Sequence, residues 1–193
     1  MGGPESNKVN DEILGKLLRQ FWEIVRQLRK GSLSAKEVFR KFKELLSGSR
    51  NVSVNGRKWE EMKKACGCDN EYIASDFDPE KHLPPLSDDQ QDEIETVLRK
   101  QGKTTTNREW LKILDENESG NNKFAHPLVV LALGEADPDE QRENPLFTIW
   151  KDADGQLWFL CLDVYDGRRC LNVDRIDLGD SWGGRCRAVA VAK

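Results

Sequence analysis

The chain has 193 residues, of which 37% are hydrophobic and 33% are charged, and its formal net charge is −4. These values exclude a disordered or collagen-like chain and predict a folded protein of one or two domains with a substantial core. No run approaches the roughly eighteen apolar residues of a membrane-spanning helix, and the first residues lack the charged-then-apolar pattern of a secretory leader. We therefore expect a cytoplasmic protein.

The five cysteines also favour a reducing compartment, because an odd number without a leader indicates free thiols. Cys66 and Cys68 form a CxC pair, and His82 and His126 are the only histidines. Their spacing matches no zinc finger or ribbon, so we predict neither a metal nor another cofactor. Cys66 is instead expected to end a helix before Gly67.

The chain is predicted to begin with a flexible tail, residues 1–10, followed by a helical domain, residues 11–68. Apolar residues recur in three- and four-residue steps over 11–30, as in an amphipathic helix, and Gly31 is a stop signal. An aromatic stripe on the first two helices is assigned to the core, and partner binding is the alternative. The stripe consists of Phe21, Trp22, Phe39 and Phe42.

Two further helices are predicted in this domain. Ser34 and Glu37 form a capping box that opens the second helix. The third is expected to bury Trp59, Met62 and Ala65, which follow one another in steps of three residues.

Residues 69–86 contain three prolines among acidic residues and are predicted to be a linker. The remaining chain, residues 87–193, is predicted to be an α+β domain. Capping boxes at Ser87 and Thr106 indicate two helices, the first of which runs to Gly102. The run LVVLAL fits either a buried strand or a helical turn, and six residues do not decide between them.

A small antiparallel sheet is predicted at the carboxyl end of this domain. Residues 147–150 and 157–162 flank a hairpin turn marked by Asp154 and Gly155. A calcium loop there would need further oxygen ligands and a distal Glu, which are missing. Apolar and polar residues then alternate in short runs over 161–192, which is typical of half-buried strands.

The segment 161–187 has an unusual polar composition. It contains no Lys, Glu, Gln or Met, although these types are common in the rest of the chain. One explanation is that strands and turns favour other residues and a short window loses these four by chance. The other is a surface whose side chains are drawn from a restricted set.

Four motifs follow one another in this part of the chain, namely VLALGE, PLFTIW, RRCLNVDRID and SWGGRCRAVAVA, with fixed points at Leu171, Val173, Trp182, Arg187 and Val189. Their order resembles that in the variable proteins of diversity-generating retroelements, especially short forms from uncultured bacteria. In that family, adenines of a template are mutated during reverse transcription, so Asn-type codons never become Lys, Glu, Gln or Met. The missing residue types match this expectation. The variable regions usually lie on a C-type-lectin-like fold, so the resemblance implies a reduced form of that fold.

The resemblance implies a non-enzymatic display protein that recognises a protein or carbohydrate ligand through the face 161–187. The link to a reverse transcriptase would be genetic rather than physical, and neither a membrane nor a nucleic acid is an expected partner. Small polar residues with Tyr and Arg anchors are the chemistry of selected binding loops. The expected ligand-binding residues are Tyr165, Asp166, Arg168, Arg169, Asn172, Asp174, Arg175, Asp177, Asp180, Ser181 and Arg185. Cys170 and Cys186 are expected on the same surface.

Two alternatives remain open. A hydrolase could use the carboxylates of this segment, but they lack a glycine-rich phosphate loop or a His-centred proton relay. A helical regulatory or nucleic-acid-associated protein is the second alternative, because basic side chains outnumber acidic ones over residues 8–64. In that case Lys36, Arg40 and Lys43 would contact phosphate groups.

Overall fold

A computed structural model describes residues 11–31, 49–86, 94–114 and 122–192. The chain forms two compact units, Met1–Gly48 and Ser49–Lys193. This division differs from the predicted boundary at residue 68, because residues 49–67 supply a strand and a helix to the second unit.

In the first unit the structure describes helix α1, Asp11–Arg29. It confirms the helix predicted over 11–30, and Gly31 follows it with a φ of 68°, a left-handed conformation that favours glycine. The assignment of the aromatic stripe to the core is wrong at Phe21 and Trp22, which are 39% and 60% exposed. The second predicted helix and the basic residues within it lie outside the described residues.

Among the described residues, the second unit has ten strands and five helices. The strands are β1 (Ser49–Val52), β2 (Asn70–Ile73), β3 (Ile94–Arg99), β4 (Thr105–Thr106), β5 (Asn122–Phe124), β6 (Leu146–Lys151), β7 (Leu157–Tyr165), β8 (Arg168–Arg175), β9 (Ser181–Trp182) and β10 (Arg187–Ala192). The helices are α2 (Trp59–Cys66), α3 (Pro79–His82), α4 (Asn107–Leu114), α5 (Pro127–Ala136) and α6 (Glu140–Glu143). None of the helices described in either unit is long and apolar enough to cross a membrane.

Eight of these strands form one sheet, in the order β1-β3-β10-β6-β7-β8-β2, with β5 paired to the end of β10. Neighbouring strands are antiparallel except β10 beside β6 and β8 beside β2. Strands β4 and β9 pair with each other. The second unit is therefore a mixed α/β fold built on a mostly antiparallel sheet. This confirms the predicted combination of helices with an antiparallel sheet, but the sheet is larger than expected.

One face of the sheet packs against α5 and holds the larger core. Every residue of α5 from Pro127 to Gly134 is buried, as expected for a helix that is apolar on all sides. Alternate strand residues meet this helix layer, among them Leu160 and Leu162 of β7 and Leu171 and Val173 of β8. The run LVVLAL is therefore helical.

Helix α4 covers part of the opposite face. Its residues Trp110, Leu111 and Leu114 pack in a second core with Phe147 and Ile149 of β6. Because these strand residues alternate with those that face α5, the two cores lie on opposite sides of the same strands.

Two predicted local signals are confirmed. At the start of α4, the Glu109 carboxylate accepts from the Thr106 N–H at 2.8 Å and Thr106 Oγ1 accepts from the Glu109 N–H at 3.3 Å, which completes the capping box. In the β6–β7 turn, Asp152 accepts from the Asp154 N–H at 3.0 Å and from Trp158 Nε1 at 2.9 Å. Burial opposes the charge of Asp152, but these donors outweigh it and lower its pKa. The carboxylate of Asp152 therefore stabilises the turn between β6 and β7.

Two predicted elements differ in type from the prediction. Residues 94–99 form β3 rather than a helix, because Ile94 and Thr96 are buried on either side of exposed Glu95 and the strand pairs with both β1 and β10. The predicted linker, residues 69–86, contains β2 at the edge of the sheet and the short helix α3. The prolines of this segment all follow β2 in the chain, so they do not interrupt its pairing.

Candidate functional site

The β7–β8 hairpin is the scaffold for most of the predicted binding residues. Its strands pair regularly over eight residue pairs and end with Tyr165 opposite Arg168. Asp166 and Gly167 form the turn with φ values of 51° and 74°, the pattern of a type I′ turn that Asp-Gly favours. The tight turn fixes the register, so alternate residues of both strands share a side of the sheet.

This alternation separates a buried lattice from an exposed surface. Leu160, Leu162, Leu171 and Val173 face α5 and are fully buried. The residues that alternate with them point to the opposite side, where Phe159 and Cys161 pack in the α4 core and the others do not. We call this surface the open face. Its side chains are Tyr72 of β2, Asp163 and Tyr165 of β7, and Arg168, Asn172 and Asp174 of β8.

The open face presents charges of both signs and two phenol rings. Tyr165 and Tyr72 are 73% and 56% exposed. Asn172 Nδ2 donates to Asp163 Oδ1 at 3.1 Å. Burial raises the pKa of Asp163, and the hydrogen bond from Asn172 opposes that shift.

The dimensions of the open face follow from strand geometry. Arg168 and Asp174 are six residues apart on β8, which places them about 20 Å apart at about 3.3 Å per residue. The face is therefore an elongated strip across three strands, with a cation near one end and a carboxylate near the other.

The segment between β8 and β10 extends this side of the sheet. The Trp182 ring stacks on Phe147 of β6 with 4.0 Å between the ring centroids. Asn107 anchors the segment, because its Nδ2 donates to the Asp177 carbonyl at 2.6 Å and its Oδ1 accepts from Trp182 Nε1 at 2.6 Å. The predicted binding residues exposed on this segment are Asp177, Asp180, Ser181 and Arg185.

Gly184 lets the same segment pass close to the β3–β4 connection. A Cβ atom at Gly184 would lie 2.9 Å from the carbonyl carbon of Gly102, whereas a Cβ at Gly183 would meet open space. Of these two neighbouring positions, packing therefore requires glycine only at Gly184.

Arg169 is a predicted binding residue that the structure places in the interior, with 8% of its surface exposed. Its Nε donates to Gln141 Oε1 at 3.0 Å, and its Nη atoms donate to the carbonyls of Gly67 at 3.2 Å and Gly134 at 2.8 Å. These bonds tie β8 to α6, α5 and the end of α2. The prediction that Arg169 contacts a ligand is therefore wrong, because its donors are already used inside the fold.

Two further residues differ from the expectation of one continuous surface. Arg175 is exposed, but it lies on the α5 side of β8, where its guanidinium is 5.4 Å from the centroid of the Trp158 ring and pairs with Asp76. Cys170, expected at the surface, is buried on the side of the open face, where Asn70 Nδ2 lies 3.8 Å from its Sγ.

The prediction from sequence missed Asp163 and Tyr72. The alternation of residues along β7 predicts Asp163 on this surface, because it lies two residues before Tyr165 and therefore points to the same side of the sheet. Tyr72 belongs to the four-residue strand β2, which pairs in parallel with β8. A strand this short gives no pattern strong enough to distinguish it from a linker.

A groove of about 830 Å³ lies elsewhere, along α2 and α3. Its lining includes Trp59, Pro79, Leu83 and Leu128 and none of the predicted binding residues. The predicted residues therefore belong to the sheet surface and not to this groove.

Over the described ranges, no group of three or more His, Cys, Asp or Glu side chains could hold a metal ion. Comparisons of the chain with protein-family models, with curated proteins and with solved structures give no match. The functional proposal therefore depends on the geometry of the open face and on the sequence pattern.

Proposed function

We propose that the second unit is a non-enzymatic binding domain whose open face, together with residues 177–185, recognises a protein or carbohydrate ligand. The observation that carries this proposal is the contrast along β8, where Leu171 and Val173 are fully buried while Arg168 and Asp174 are exposed. A strand of this kind keeps its core contacts when the exposed residues change.

The proposal includes diversification of this surface by a retroelement and, with it, a reduced C-type-lectin-like fold. Two observations support it. The segment 161–187 lacks Lys, Glu, Gln and Met. Nine of the eleven predicted binding residues are exposed, and of these Arg175 lies on the α5 side, whereas Asn172 is half-buried and Arg169 is buried. Changes at the exposed positions would alter the ligand without altering the fold.

The size of the open face limits the ligand. A strip about 20 Å long and two strand spacings, or about 10 Å, wide covers about 200 Å². This is well below the roughly 800 Å² that each partner buries in a standard protein interface. The strip alone suits a short oligosaccharide or an extended peptide, and a globular protein would also need residues 177–185.

The binding test is a combined variant in which exposed residues with distinct chemistry become serine. The replaced residues are Tyr165, Arg168, Asp174 and Arg185. We expect the free energy of unfolding to change by about 0.5 kcal/mol or less per residue, while the signals on glycan and protein arrays change. The matched control replaces four exposed residues on helices of the same unit. These are Lys64, Glu80, Arg108 and Lys112.

The control variant is expected to keep the array profile of the wild-type protein. A large loss of stability in the first variant, or the same array profile in both variants, would contradict the proposed function.

Diversification is tested by sequencing the genomic neighbourhood. We expect a near-copy of the 3′ end of the gene beside a reverse transcriptase gene, with differences from the gene only at adenines of the copy. Variation among related copies should fall on codons such as those of Tyr165 and Arg168. Frequent variation at Arg169, Leu171 or Val173 would contradict it, because these side chains are buried.

A further inference from the structure

Cys66 and Cys68 place two thiols together at the junction of α2 and β2. Cys66 is the last residue of α2, and Gly67 ends the helix in a left-handed conformation with a φ of 67°. The two Sγ atoms are 3.7 Å apart. Cys66 is 1% exposed, whereas Cys68 is half-buried. A reagent can therefore reach Cys68, and Cys66 lies in contact with it in the interior.

A buried guanidinium group lies beside the pair. Arg169 Nη2 is 3.9 Å from Cys66 Sγ, and Gln141 Nε2 is 4.0 Å from Cys68 Sγ. Among the described residues, the side chain of Arg169 donates to carbonyl and amide oxygens and to the Cys66 thiol. Its positive charge is thus available to stabilise a thiolate in this pair.

The two thiols differ in acidity. The hydrogen bond with Cys66 lowers the pKa of Cys68 to about 7, and Arg169 contributes, while burial and the Glu71 carboxylate oppose the shift. The same hydrogen bond, together with burial, raises the pKa of Cys66 against the opposing effect of Arg169. At neutral pH, Cys68 therefore has a large thiolate fraction while Cys66 keeps its proton.

We propose that Cys66 and Cys68 form a thiol–disulfide exchange site, in which Cys68 attacks a small-molecule disulfide and Cys66 resolves the product. This site is separate from the open face and does not depend on the proposed ligand binding. Cys68 is the attacking group because it is the accessible thiol, and Cys66 is the resolving group because its sulfur is already in contact with Cys68.

The exchange balances in two steps. The Cys68 thiolate attacks one sulfur of a disulfide RSSR, which forms the mixed disulfide Cys68–S–S–R and releases RS⁻, and this anion takes a proton from water. Cys66 then loses its proton, its sulfur attacks the Cys68 sulfur, and the second RS⁻ leaves and is protonated. The protein dithiol is oxidised by two electrons, and RSSR is reduced to two RSH. The Sγ–Sγ distance must shorten to about 2.05 Å, and Gly67 between the cysteines gives the backbone freedom to allow it.

The test incubates the full chain with mixtures of reduced and oxidised glutathione, followed by acid quenching and alkylation of the free thiols. Trypsin releases residues 65–81 as one peptide whose only cysteines are Cys66 and Cys68. We expect mass spectrometry to show this peptide unalkylated and lighter by two hydrogen atoms than the dithiol form. Its proportion should rise with oxidised glutathione and fall when reduced glutathione is restored.

Two variants separate the roles of the thiols. Cys66→Ser should accumulate a glutathione adduct on Cys68, because the resolving thiol is missing. Cys68→Ser should form neither the adduct nor the disulfide on this peptide.

The wild-type protein offers an internal comparison that needs no variant. Cys186 is also half-buried, but burial raises its pKa, and cleavage before aspartate isolates it in residues 180–193. At pH 7 we expect iodoacetamide to react with Cys68 about tenfold faster than with Cys186, because the thiolate is the reactive form.

The proposal is overturned if the peptide 65–81 contains no internal disulfide at any glutathione ratio. Equal alkylation rates at Cys68 and Cys186 would also overturn it, as would a Cys68→Ser variant whose Cys66 takes up glutathione.

Discussion

Arg168 and Arg169 are adjacent residues of the same type, and the structure gives them opposite roles. Arg168 is exposed on the open face, whereas Arg169 donates to three oxygen atoms inside the fold. Replacing each arginine in turn by methionine keeps an unbranched stem of similar length but removes every donor. The pair of variants therefore measures how much one buried guanidinium group stabilises the second unit.

The expected cost follows from the hydrogen bonds that are lost. Arg169→Met leaves the acceptor atoms of Gln141, Gly67 and Gly134 without this donor, at about 1 kcal/mol each and about 3 kcal/mol in total. The apolar methionine and the removal of a buried charge offset about 1 kcal/mol of this cost. The net loss should be about 2 kcal/mol, or roughly 4–8 °C in Tm. Arg168→Met should change the free energy of unfolding by about 0.5 kcal/mol or less.

The assay is urea unfolding followed by tryptophan fluorescence, with linear extrapolation of the free energy to zero denaturant. Equal losses in the two variants would refute the reasoning, because the difference rests on the buried acceptors of Arg169 alone. The result also bears on diversification, since a position that costs this much cannot be exchanged freely.

Three further outcomes are expected from similar unfolding curves. Gly134→Ala should lower the free energy of unfolding by about 1–3 kcal/mol, because a Cβ there would lie 2.6 Å from Leu162 Cδ1. Gly183→Ala should leave it nearly unchanged, because a Cβ at that position meets open space. Similar losses in both variants would contradict this packing argument. Asn107→Ala should lower the free energy of unfolding by about 2 kcal/mol and weaken ligand binding, because both hydrogen bonds that anchor the segment after β8 are lost. An unchanged free energy of unfolding would contradict this role of Asn107. Burial lowers the pKa of His126 below its unfolded value of about 6.5. The free energy of unfolding should therefore fall as the pH drops from about 6.5 to the lower folded pKa, and His126→Asn should weaken this dependence on pH. If the free energy of unfolding depends on pH equally in the wild-type protein and in His126→Asn, the role given to His126 is wrong.

Sequence signals predict the structure correctly where it depends on contacts between residues that are close together in the chain. Thr106 and Glu109 bond to each other at the start of α4, and Asp154 lies in the turn that its position predicts. Gly31 and Gly67 follow helices in left-handed conformations. In each case the determining contacts span a few residues, so they are present in the sequence pattern itself.

Long-range pairing limits what the sequence predicts. Ile94, Val97 and Leu98 have helical spacing, but the sheet places a strand here between β1 and β10. Thr96 is fully buried, and its hydroxyl donates to the Arg50 carbonyl at 2.9 Å, a partner 46 residues away. Local spacing cannot reveal such a partner, so tertiary pairing overrides the helical pattern.

Arg169 shows how composition and alternation can disagree. Alternation in β8 places Arg169 on the same side as Leu171 and Val173, towards α5. Its polar character suggests the surface instead, because a buried arginine needs partners from other parts of the chain. The structure supplies them from Gln141 and from the carbonyls at the ends of two helices. Its direction could be predicted from sequence, but its partners could not.

Strand β10 comes last in the chain among the described strands, yet it stands between β3 and β6 in the sheet. During synthesis, β1 and β3 can pair early, and so can β6, β7, β8 and β2. In the described sheet no strand of the first group pairs with a strand of the second, and β10 connects the two groups by pairing with β3 and β6. A nascent chain that stops before Arg187 therefore holds two half-sheets with unpaired strand edges, which exposes it to chaperones and proteases.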